Sequence, residues 1–231
     1  MKRWQAVPGL QVAIDGPSGS GKGTLAANLA EAVNLPVLDT GLLYRLTGAV
    51  AVQRGIALDD DAALAELLDE MLGGVGWTRE GVTFEGEDWT PRLRGEDAGA
   101  AASQVAARQV VRAKLLGLQR QLASSGCVMD GRDIGTVVLP DAQAKFFLTA
   151  SQRERARRRW AQLQGKNSEV SLDDVLGEIK KRDQRDTERE YAPLCAAEDA
   201  ITIDSTTMRI DQVLDRMLAV LERRGLISPA G

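Results

Sequence analysis

Residues 16–24 read Gly-Pro-Ser-Gly-Ser-Gly-Lys-Gly-Thr, and no other stretch of the chain restricts its fold so tightly. The run ahead of them, Leu10-Gln-Val-Ala-Ile14, has the character of a short buried strand. Behind them, Leu25, Leu29, Ala32 and Val33 fall on one helical face. Strand, glycine loop and helix together predict a phosphate-binding loop rather than a flexible turn with a solvated lysine. Gly16, Gly19, Gly21 and Gly23 let the backbone through Pro17, Ser18 and Ser20 turn its N–H groups toward phosphate oxygens. The helix N-terminus adds partial positive charge, and Lys22 is placed to reach the terminal phosphates. The common form of this loop carries a hydroxyl directly after the lysine, where it can ligate Mg²⁺. Here Gly23 stands in that place and the hydroxyl moves to Thr24. That shift departs from the GTPase form of the loop, and no Asn-Lys-x-Asp guanine-reading motif is present.

Beyond the loop, short apolar runs at Leu35–Leu38, Cys127–Met129, Lys145–Leu148 and Ala200–Ile203 alternate with helical stretches. The alternation predicts a three-layer α/β/α fold on a parallel sheet. Asp59, Asp60 and Asp61 suit the start of a helix striped with Leu64, Leu67, Leu68, Met71 and Leu72. Next, Val75, Trp77, Val82 and Phe84 alternate with polar residues around Glu80-Gly81, the pattern of a small hairpin in an inserted lobe. Residues from about 98 to 122 read as mostly helical with a break near Arg108. Ser151 with Glu154, and Ser171 with Asp174, are capping-box signatures for two charged helices.

Histidine is absent, which removes Ser-His-Asp and Cys-His chemistry and His-ligated metals. A net charge of −4 argues against general nucleic-acid binding. No apolar run approaches the roughly 18 residues that span a bilayer, and the N-terminus lacks the apolar core of a signal peptide. Cys127 and Cys195 form no CxxC pair and read as thiols in a reducing compartment, so a cytoplasmic protein is expected.

Three further groups invite chemistry. Asp130 ends the apolar run Cys127-Val-Met129, as a Walker B aspartate near Mg²⁺ does, although turn aspartates occupy such places too. From Ser151 to Gly165, Arg153, Arg155, Arg157, Arg158 and Arg159 face one acid, Glu154, and only Trp160 and Leu163 supply an apolar side. This predicts a mobile lid whose arginines close over triphosphate charge. Arg182, Asp186 and Arg189 recur at spacings of four and three, which on spacing alone describes a surface salt-bridge ladder.

Taken in order, Asp15–Thr24, Asp39-Thr-Gly-Leu-Leu-Tyr-Arg45, Ala102-Ser-Gln-Val-Ala106, Asp130-Gly-Arg-Asp-Ile-Gly-Thr136 and Arg182-Asp-Gln-Arg-Asp186 resemble the motifs of the bacterial cytidylate kinases, P-loop nucleoside-monophosphate kinases. The resemblance spans nearly the whole chain. Thr40 stands where serine is frequent in that family, and Leu42 where a small residue is common. The resemblance implies a core of residues 1–66, 104–150 and 190–231, a monophosphate-binding lobe at 67–103 and a helical lid at 151–189. It further implies ATP-dependent phosphorylation of CMP and dCMP by a monomer. Thr40, Tyr44 and Arg45 would line the CMP site, with Arg45 and Arg132 on its phosphate. Ser103, Arg112 and Asp133 would read the cytosine, and Arg182 and Asp186 would hold the ribose beside Arg189. Lys22, Arg132, Asp130 and a lid residue, Arg158, would serve catalysis. Mg²⁺ would be held mainly by the nucleotide and water, with Thr24 and Asp130 as protein ligands. Other monophosphate kinases, for UMP, AMP or dTMP, share the loop and lid and differ in the residues that read the base. A CMP phosphate with its second pKa near ~6 is already a dianion at neutral pH, so no general base is required.

Overall fold

The computed structural model describes residues 4–78, 81–164 and 170–230. A first strand, β1 (Trp4–Ala6), leads to β2 (Gln11–Asp15), whose Val12, Ala13 and Ile14 are sealed from water. Helix α1 (Lys22–Val33) returns over it and buries Leu25, Leu29 and Val33 on the predicted face. Then come β3 (Val37–Asp39), α2 (Thr40–Gln53) and α3 (Asp61–Met71). Asp60 caps α3 by accepting the N–H groups of Ala62 and Ala63.

The small antiparallel sheet β4 (Val75–Trp77), β5 (Val82–Phe84) and β6 (Glu87–Asp88) forms the hairpin region. Of its turn, Glu80 lies outside the described residues. Two helices come next, α4 (Glu96–Val105) and α5 (Gln109–Ala123), separated at residues 106–108. The chain then forms β7 (Cys127–Gly131), a π-helical turn (Ile134–Val138) and β8 (Ala144–Thr149). It closes with α6 (Gln152–Gln164), α7 (Leu172–Glu188), β9 (Ile201–Asp204), α8 (Ile210–Arg223) and β10 (Ile227–Pro229).

The central sheet is five-stranded and parallel, in the order β3-β7-β2-β8-β9, with β2 in the middle. Helices cover both faces, giving the α/β architecture read from the alternating pattern. Under one face, Leu10, Ile14, Leu29, Phe146 and Leu148 pack with Met217 and Leu221 of α8. A second apolar cluster joins α2, α3, the hairpin and the start of α5 through Leu43, Leu46, Leu68, Phe84 and Val111. Its footprint reaches from residue 42 to residue 115, so the small sheet shares its core with α2 and α3.

Helices α6 and α7 hold a cluster of their own: Ala156 and Leu163 against Val175 and Ile179, flanked by Trp160. The apolar side of α6 is thus matched by that of α7, a pairing that α6 read alone does not disclose. Ser171 and Asp174 make the full capping box of α7. At α6 only half of the expected box forms. Ser151 Oγ accepts the Glu154 N–H, while the Glu154 carboxylate turns to Arg157 and Arg158.

Candidate active site

The ends of β2, β3, β7 and β8 lie together at the carboxyl edge of the parallel sheet, where such folds gather ligand-binding groups. The glycine loop leaves β2 there. Gly16, Gly19 and Gly21 have φ of 154°, 75° and 91°, and at Gly16 a Cβ would lie 2.1 Å from the Leu148 carbonyl oxygen. Gly21 precedes α1 without any side-chain cap, which leaves the first-turn N–H groups of the helix available to an anion. Lys22, in that first turn, is buried, and its Nζ donates to the Pro17 carbonyl at 3.3 Å. Burial and the nearby Arg132 pull this ammonium well below the usual lysine range, while Asp130 acts in the opposite direction.

From β7 comes the second wall of the cleft, Asp130 to Asp133. Thr40 Oγ1 donates to the Asp130 carbonyl at 2.9 Å, tying the start of α2 to this loop. Gly131 leaves room for two neighbouring side chains there, since a Cβ would lie 2.6 Å from Ile134 Cδ1 and 2.8 Å from Thr40 Oγ1 and one of them would have to shift. Asp15, the last residue of β2, accepts the N–H groups of Ile134 at 2.8 Å and Gly135 at 2.7 Å. Burial pushes its pKa up to about 6 in spite of those two donors. Asp130 is buried, with Oδ1 lacking a protein partner. Burial and the neighbouring Asp39 raise its proton affinity, against the pull of Lys22 and Arg132.

A dense set of guanidinium groups occupies the remainder. Arg112 pairs with Asp133, both almost sealed from water, and lies 5.2 Å over the Tyr44 ring. Arg132 Nε donates to Asp186 at 2.8 Å, and Arg189 Nη2 is 3.9 Å from the second oxygen of Asp133. Burial raises the Asp186 pKa, yet Arg132 and Arg182 outweigh it and hold the carboxyl below its ordinary value. Arg45 donates to the carbonyls of Leu93 and Gly95. Arg182 is pulled down to about 10 by burial and by the adjacent cation Arg132, and its Nε has no protein partner. Ser103 Oγ, Arg112 Nε and Arg189 Nη2 are likewise buried without a hydrogen-bond partner. Buried polar atoms are nearly always paired, so several of them converging on one cleft mark a place for a polar ligand.

The cleft therefore brings together Ser18, Lys22, Thr40, Tyr44, Arg45 and Ser103 from one side of the sequence. Arg112, Asp130, Arg132, Asp133, Arg182, Asp186 and Arg189 join them from the other. Arg182, Asp186 and Arg189 face this cavity and are not a surface ladder. Arg158 does not line it. Its guanidinium contacts Glu154, the Ser20 carbonyl and both oxygens of Ser205. Thr24 is exposed on α1. Arg155, one of the five arginines expected in the lid, is instead buried and paired with Asp183. Asp39, which lines the cleft and caps α2 through Gly41 N–H at 3.0 Å, is a site residue beyond those that the sequence motifs indicate. Asp39 ends an apolar run just as Asp130 does, and that parallel was the available signal.

Could this cleft hold Mg²⁺? Asp130 has a free oxygen, and its other oxygen lies 3.7 Å from the Cβ that a side chain at Gly23 would carry. Among the described residues no group of three Asp, Glu, His or Cys side chains converges on one point. The donor set fits an ion held chiefly by nucleotide and water with one carboxylate behind it.

A glycine loop on the central parallel strand, opening on a cleft lined with arginines, defines a P-loop nucleotide-binding α/β protein. The chain belongs to the cytidylate kinase family, whose model matches residues 12–223. It is 50% identical over 222 residues to the cytidylate kinase of Stutzerimonas stutzeri, covering 93% of this chain and 96% of that one. It is 46% identical over 226 residues to the cytidylate kinase of Geobacter sulfurreducens, covering 96% of each. With the cytidylate kinase of Pseudomonas fluorescens it shares 50% identity over 220 residues, 93% of this chain and 96% of that one. No helix among the described residues is long and apolar enough to cross a membrane.

Proposed function

We propose that the protein transfers the γ-phosphoryl group of ATP to CMP or dCMP. The observation that carries this reading is Arg182, a largely buried guanidinium set beside Arg132 and Arg45 in the cleft that Lys22 enters from the loop side. Cations crowded together in a low-dielectric cleft favour two phosphate-bearing ligands brought end to end. In this reading the glycine loop and the start of α1 cradle the ATP phosphates, and Lys22 neutralises charge on the transferring group. Arg45, Arg132 and Arg182 hold the acceptor phosphate in line, and Asp186 orients the ribose. Arg112 and Asp133 meet the cytosine edge, with Ser103 and Tyr44 bordering it. Mg²⁺, when bound, spreads the charge of the nucleotide phosphates, with Asp130 as its protein anchor.

Catalysis on this basis is alignment and charge neutralisation. The acceptor phosphate is its own nucleophile. Asp15 does not compete for the role of base, because both of its oxygens already accept backbone N–H groups. The protein is proposed to act as a cytoplasmic monomer. A coupled assay of ADP release with CMP, dCMP, UMP, AMP and dTMP tests the reading. Activity is expected with the two cytidine nucleotides first, and activity with none of the five would overturn it.

A further inference from the structure

Arg155 lies in the first turns of α6, yet its guanidinium reaches three separate parts of the molecule. Nε donates to the carbonyl of Ala150 at the end of β8, at 2.9 Å. Nη1 donates to the carbonyl of Ser18 in the glycine loop at 2.9 Å. Nη1 and Nη2 then make a two-pronged pair with Asp183 on α7, at 2.9 and 2.6 Å. Asp183 directly follows Arg182 and lies one turn ahead of Asp186, the two α7 residues that face the cleft. The loop also sits close on α6 itself: a Cβ at Gly19 would lie 3.1 Å from Arg155 Cβ.

Such a buried fork is rigid, because a guanidinium that pairs with a carboxylate through two bonds fixes plane and direction together. The α6–α7 pair has its own small apolar core, so its seating on the remainder of the chain depends on polar ties of this kind. We infer that Arg155 is a positioning residue, which transmits the position of the glycine loop to Arg182 and Asp186 through Asp183. Ordering the loop around nucleotide phosphates then orders α7, and the acceptor nucleotide binds a cleft already in place. By linkage the effect runs equally in both directions. The inference rests on the substrates proposed above.

Its test is a binding cycle in the full-length protein. The Kd of CMP is measured by titration calorimetry, alone and with a saturating imido analogue of ATP plus Mg²⁺. For the wild type the analogue should tighten CMP by a factor within the usual range of coupled sites, about 5- to 150-fold. In Asp183→Asn and Arg155→Lys that factor should fall to within about twofold of unity, as expected when the coupling itself is lost. A merely structural role would lower thermal stability and leave the ratio alone. Lys145→Met supplies that comparison, since it removes the Asp199 pair at the opposite end of β8. CMP binding with an unchanged ratio in both α6–α7 variants would overturn the inference and leave the substrate reading standing, as would a wild type without coupling. Absence of CMP binding to the wild type in either condition would overturn the substrate reading and this inference together.

Discussion

Arg112 and Asp133 meet as an ion pair in the wall of the cleft, their side chains 4% and 5% exposed. Arg189 approaches the other oxygen of Asp133, and the Tyr44 ring supports Arg112. A carboxylate so fixed is an acceptor of set direction. It suits the amino group of cytosine and opposes O4 of uracil, itself an acceptor. Two opposed acceptors cost about 1–3 kcal/mol, so kcat/KM for CMP should exceed that for UMP by about tenfold to hundredfold. Equal values in the wild type would remove Asp133 from base selection. Asp133→Asn should narrow the preference and also lower stability by about 3–5 kcal/mol, since it leaves Arg112 buried without its counter-charge. Melting curves and kinetics below the midpoint separate the two effects.

Lys22→Met should separate activity from stability in the opposite sense. The side chain is buried, and burial with Arg132 nearby lowers its proton affinity in the folded protein. A lysine whose folded pKa lies below its unfolded value disfavours folding as pH falls from about 10 toward neutrality, because the unfolded chain binds more protons. Removing the amine therefore removes a penalty. Phosphoryl transfer should drop by about 10²–10³-fold, the loss typical of one charge-stabilising donor. The melting temperature at pH 7 should not fall. A large drop in melting temperature would show that the Pro17 contact of Lys22 supports the fold.

The two thiols should behave as opposites. Cys127 is buried in β7 and burial pushes its pKa up to about 12, whereas Cys195 is exposed. An aromatic disulfide reagent at pH 8 should titrate one thiol in the native protein and both in denaturant. The linkage has a definite sign: the unfolded thiol ionises near 8.5, so Cys127 withdraws stability as pH rises from about 9 toward 12. Cys127→Ala should flatten that alkaline slope. Rapid native reaction of both thiols would mean that β7 opens readily.

How far the sequence alone reveals the site depends on the range of the interactions involved. The loop, the strand ends at Asp39 and Asp130, and the Ser171–Asp174 cap are local, each specified within a few residues. The base-reading pair joins residues 112 and 133, and the α7 residues reach the cleft only because α6 and α7 bury one face against each other. Arg155 shows the limit most plainly. In a run of five arginines it looks like its neighbours, and only the fold separates it from exposed Arg157 by setting Asp183 and the Ser18 carbonyl around it. The same applies to the small sheet. Its alternation is visible in Val82 and Phe84, but its union with α2 and α3 depends on contacts that periodicity does not encode.

The claim that the acceptor phosphate is its own nucleophile can be tested by pH. If no side chain takes a proton, kcat/KM for CMP should rise as the phosphate loses its second proton, near ~6, and then level off. The rivals to weigh are Asp15, at the start of the glycine loop, and Asp130 and Asp133, at the end of β7. Asp15 is occupied by the Ile134 and Gly135 N–H groups, and Asp133 is paired with Arg112. Asp130 is the serious competitor, because burial and Asp39 raise its pKa and leave one oxygen without a protein partner. A rising limb alone does not distinguish it from the substrate, since both would lose a proton as pH increases. A CMP analogue with a more acidic phosphate does distinguish them. The limb should move down by the difference between the two phosphate pKa values, and the plateau should keep its shape. A limb that stays in place for the analogue and shifts or disappears in Asp130→Asn would identify that carboxylate as the base, and the unassisted mechanism would have to be given up.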